Sequence, residues 1–104
     1  MKLLVVTCLK EYQKKVLEIF KQSGVPVFSA TEIIGFKSAE PNNIMDNWFS
    51  RGSESFDSMI IFSFTEEEKS DKVLQKVKDF NASHRSDFPL RAFVMPVEKS
   101  SSSI

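Results

Sequence analysis

The stretch KLLVVTCLKEYQKKVLEIFKQSGVP, residues 2–26, changes its hydrophobic period partway along, and that change decides the fold. Its first part, KLLVVTC at 2–8, is apolar and rich in β-branched residues, yet too short for a helix, so it reads as a buried strand. In EYQKKVLEIFKQSG, residues 11–24, Tyr12, Val16, Ile19, Phe20 and Ser23 fall on one helical face, with Lys14, Lys15, Glu18 and Lys21 elsewhere. Gly24 suits a left-handed C-cap, and Pro26 cannot continue the helix.

PVFSATEIIGF at 26–36 and FDSMIIFSF at 56–64 read as second and third strands. A second helix follows, with Thr65 and Glu68 placed to form a capping box and Val73, Leu74, Val77 and Phe80 as its apolar stripe. LRAFVMPV at 90–97 is a last strand, and Pro96 suggests an edge or an end. The order βαββαβ predicts an α+β, ferredoxin-like domain over residues 1–98: a four-stranded antiparallel sheet with two helices on one face. Residues 99–104 form a polar tail. The connection 37–55 has no period, and connections of that length are usually functional or disordered.

Composition excludes several classes. With 104 residues, 41% hydrophobic and 27% charged, the chain suits one globular domain with one core. Fourteen basic residues balance fourteen acidic ones, which leaves no electrostatic footprint for nucleic acid. The apolar N-terminal run is too short for a signal peptide, and no run reaches the length of a membrane span. A lone Cys8 cannot form an internal disulfide and fits a reducing compartment. A cytoplasmic protein is expected.

The strands carry apolar residues at both parities. Leu3 and Val5 oppose Leu4 and Val6; Met59 and Ile61 oppose Ile60 and Phe62; Val94 opposes Phe93 and Met95. Two helices cover one face of a sheet, so the other face is expected to pack against further copies of the chain.

TEIIGF at 31–36, placed before the long connection, is similar to the T-E-x-x-G-F of the PII signal-transduction superfamily, and FVMPVE at 93–98 looks like that family's last core strand. The resemblance spans nearly the whole chain. It implies a trimer, with 37–55 as the mobile loop that such proteins present to an enzyme or membrane transporter. It also implies a cleft between subunits, beside residues 31–35, that binds adenine nucleotides. The family's glycine-rich T-G-x-x-G-D-G-K motif has no counterpart, since the equivalent stretch is ASHRSDFPLR; the basic segment after the last strand and the modifiable loop tyrosine are missing too. Without those glycines, backbone amides cannot cradle phosphates as closely. A short PII-like group associated with bacterial heavy-metal efflux resembles the chain more closely.

From these readings, Thr31, Gly35, Phe36, Lys37 and Arg91 are the expected ligand residues, with an adenine nucleotide as the candidate effector. Gly35 serves either a ligand's close approach or a bulge where the strand ends. Phe88, Arg91 and Lys37 could surround a small anion. Asn47, Trp48, Phe49 and Arg51 are candidates for partner contact, as aromatic and arginine side chains dominate interface energetics; Trp48 folded over its own subunit's cleft is the alternative. His84 and Cys8 supply one nitrogen and one sulfur ligand, too few for a zinc or copper site within one chain. Glu32, Glu40, Asp46, Glu54 and Asp57 lack the spacing of a calcium loop. With no nucleophile elbow and a single histidine, the chain reads as no enzyme. The alternatives are a metal-responsive adaptor akin to the divalent-cation-tolerance proteins and a small ferredoxin-like enzyme.

Overall fold

The computed structural model describes residues 1–38 and 53–101. Strand β1 (Lys2–Leu9) leads through one 3-10 turn (Lys10–Tyr12) into helix α1 (Gln13–Gln22). Strands β2 (Ser29–Ser38) and β3 (Ser53–Thr65), helix α2 (Glu67–Ser83) and strand β4 (Arg91–Pro96) complete the order. All neighbours in the sheet are antiparallel, in the order β2-β3-β1-β4. This is the α+β, ferredoxin-like arrangement expected from the alternation of periods.

Strand alternation sets the core. Leu4, Val6 and Cys8 of β1 pair with Ser63, Ile61 and Met59 of β3, and all are buried. They pack against Val16, Ile19 and Phe20 of α1 and Val73 and Val77 of α2, so both helices lie on one face. The buried Ser58 donates its hydroxyl hydrogen to the Cys8 carbonyl oxygen at 2.7 Å, which satisfies two polar groups at once. Helix α1 ends as its sequence requires. Gly24 takes φ +78°, the Val25 N–H donates to the Phe20 carbonyl at 3.0 Å, and the Gly24 N–H donates to the Lys21 carbonyl at 3.2 Å. These two bonds make a Schellman motif, with Val25 and Phe20 both in the core beside it.

Four expectations need correction. The strand expected from residue 26 begins at Ser29; Pro26 lacks an N–H, and the Val27 carbonyl accepts a hydrogen bond from the Ser63 hydroxyl instead of from a strand. Thr65 does not cap α2: it closes β3 opposite Lys2, and Glu66 occupies the cap position without a side-chain bond. The ends of the stretch 37–55 are strand, with Lys37 opposite Glu54 and Ser38 opposite Ser53. Finally, Gly35 pairs with Phe56 in an unbroken register, so no bulge lies there.

The second face of the sheet is uncovered in the single chain. Leu3, Phe64 and Met95 lie in one cross-strand row, and Val5, Phe62 and Phe93 in the next. Phe93 is 52% exposed, Phe64 43% and Met95 42%. Toward the other end of this face the next row brings in polar side chains, with Thr7 and Arg91 beside Ile60.

Candidate functional site

At that polar end lies a cleft of about 340 Å³. Thr7 of β1, Phe56 and Ser58 of β3, Lys37 of β2 and Arg91 of β4 contribute to its lining. The connection between α2 and β4 supplies Asp87, Phe88 and Pro89. Its course is set by hydrogen bonds. Asn81 near the end of α2 receives the Leu90 N–H at 3.0 Å and donates to the Leu90 carbonyl at 2.8 Å, anchoring a residue whose side chain is buried. The Ser86 hydroxyl accepts the Phe88 N–H at 3.0 Å.

Phe88 is thereby laid against Phe56, with ring centroids 4.4 Å apart and planes inclined at 51°. The Lys37 ammonium lies 5.3 Å from the centre of the Phe88 ring. A Cβ on Gly35 would come within 2.2 Å of the Phe56 ring, so glycine is what allows that ring to rest on β2. Arg91 has no carboxylate partner among the described residues. An aromatic wall with two cations at its rim suits a flat, anionic molecule. Cys8 borders the same cleft, but burial pushes its thiol up from 9.0 to about 11, so it is a protonated and unreactive lining group at neutral pH.

The residues singled out from sequence divide accordingly. Phe36, Lys37 and Arg91 meet at this cleft, together with Phe88. Gly35 lies beneath the Phe56 ring and does not line it. Thr31 sits four residues farther along β2, exposed, with its hydroxyl toward the Glu32 carbonyl at 3.4 Å. Asn47, Trp48, Phe49 and Arg51 lie outside the described residues. His84 stacks on Phe80 at the end of α2, with centroids 4.2 Å apart, and accompanies no metal-ligand cluster among the described residues. Glu32 forms an ion pair with Lys10 at 2.7 Å, which raises the lysine's affinity for its proton. Sequence reading missed Phe56 and Asn81. The first matters only through a register that places it opposite Gly35, and the second only through a backbone nine positions away.

No family model matches the sequence, and no curated protein is significantly similar to it. Solved structures are informative where sequences are not. The chain shares the fold of PII-like signalling proteins. One such structure, described as a PII-like signaling protein from Thermus thermophilus, matches with a TM-score of 0.62 at 18% identity, over 89% of this chain and 82% of that one. Another is CPII, a nitrogen regulatory PII-like protein from Thiomonas intermedia, whose structure holds ADP, AMP and bicarbonate; it matches with a TM-score of 0.62 at 13% identity, over 95% of this chain and 93% of that one. No helix among the described residues is long and apolar enough to cross a membrane.

Proposed function

We propose that the chain is a PII-like regulatory protein and not an enzyme: a cytoplasmic homotrimer that binds an adenine nucleotide at the Lys37 and Arg91 cleft. It acts on a protein partner, a membrane transporter, through residues 37–55. The observation that carries this reading is the position of the cleft. Its walls are the converging ends of β2 and β3, from which that segment departs, and the connection that precedes β4. Occupancy there bears on the segment's attachment points. The CPII structure holding ADP and AMP supports the choice of nucleotide. The absence of glycine from residues 82–91 means that side chains, Lys37 and Arg91, replace a backbone cradle for the phosphates. The uncovered rows around Phe62 and Phe93 support association of sheet faces about a threefold axis.

Calorimetric titration of AMP and ADP tests the effector. Binding is expected, with at least tenfold loss in a Lys37→Ala, Arg91→Ala double variant, since each charge-assisted bond contributes about 1.5–3 kcal/mol. No heat at millimolar nucleotide would remove the nucleotide reading. For the partner, affinity capture from membranes of the source cell with the intact chain, and with residues 39–52 replaced by a Gly/Ser linker, is the corresponding test. A transporter retained equally by both would detach function from that segment.

A further inference from the structure

The geometry points to Phe88 as a displaceable plug, a built-in competitor that occupies the place of a ligand's flat ring and ties that place to both strands of the β2–β3 hairpin. This rests on the nucleotide reading above and deepens it. Phe88 has an aromatic ring on one side, Phe56 at 4.4 Å, and a cation over its ring, Lys37 at 5.3 Å. Those are the contacts that a heteroaromatic base bearing phosphate would draw from the same two residues. A ligand must therefore compete with Phe88 for the Phe56 surface and for the Lys37 charge together.

The two rings are not equivalent. Phe56 is a fixed platform, because it belongs to β3 and rests on Gly35 with no room to recede. Phe88 belongs to an irregular connection whose backbone is held on either side, at Ser86 and at Leu90, while its own side chain remains half-buried outside the core cluster. Rotation about its side-chain bonds clears the platform without breaking any of those backbone anchors. The same movement frees Lys37 on β2 and uncovers Phe56 on β3. Both attachment points of the segment at 39–52 thus sense one event, and neither strand has to break its ladder.

The test compares the wild-type chain with Phe88→Ala, using AMP and ribose 5-phosphate as probes in calorimetry, and hydrogen exchange of the ligand-free proteins at residues 34–37 and 55–57. Removing the plug is expected to tighten AMP by about tenfold, the scale of one aromatic and one cation–π contact no longer displaced, with a smaller gain for ribose 5-phosphate, which has no base. Exchange at both strand ends is expected to quicken in the variant. Equal or weaker AMP binding by Phe88→Ala overturns the proposal and makes Phe88 a wall of the site. If neither protein binds AMP or ADP, the nucleotide reading fails by itself, and exchange then decides: quicker exchange at both strands supports the tie through Phe88, and unchanged exchange overturns it.

Discussion

A methyl group on Gly35 would fall 2.2 Å from the Phe56 ring, far inside contact distance. Gly35→Ala is therefore expected to cost about 1–3 kcal/mol, as other overpacked sites do, read as a lower urea midpoint. Adding Phe56→Ala removes the obstacle, and the double variant should cost less than the sum of the two single changes; strict additivity would locate the strain elsewhere. Gly35 is visible in the sequence, but its reason is not, because nothing within residues 31–36 names the residue across the ladder. Cys8 shows the same limit in charge. The folded thiol titrates near 11 and an ordinary one near 9.0, so its contribution is constant below about pH 9 and is lost as pH rises through about 11. The pH curves of wild type and Cys8→Ala are expected to diverge over that window by about 2–3 kcal/mol, with the wild type falling faster. Parallel curves would mean that the thiolate is tolerated where it lies.

Between α2 and β4, order is imposed by Asn81, whose amide pairs with both polar groups of the Leu90 backbone. Asn81→Ala leaves those groups without their partners and is expected to cost about 1–3 kcal/mol, and to loosen Phe88 and Arg91 as well. The paired measurements are thermal unfolding and AMP affinity; a variant with native stability and native affinity would show that the connection holds itself. Helices were the most legible elements, because their stripes and the Gly24 stop are local signals. Thr65 misled for a physical reason: a threonine followed by glutamates caps a helix equally well on paper, but here its backbone is already committed to the ladder with Lys2. The ends of β2 and β3 were hidden because Lys37, Ser38, Ser53 and Glu54 are polar, and their pairing follows from the ladder behind them.

At the scale of the whole molecule, the two-sided apolarity of the strands was legible and the uncovered face matches it. The cleft was legible only in fragments, since Lys37, Phe56, Phe88 and Arg91 come from four elements. Phe93→Glu places a charge on the most exposed aromatic of the open face's apolar rows, on edge strand β4, and is expected to yield monomers by light scattering, with the helix-side core intact by circular dichroism. An unchanged mass would mean that some other surface associates. The strand order also bears on how the chain comes into being. β1 precedes the sheet's other strands in the sequence and lies between β3 and β4, both of which follow β2. During synthesis it waits, apolar on both faces, until β3 and then β4 emerge to close its edges. Such long-range pairing slows folding and leaves a nascent chain open to aggregation. The same residues proposed to join three subunits are thus, while the sheet is still incomplete, the ones a chaperone has most reason to hold.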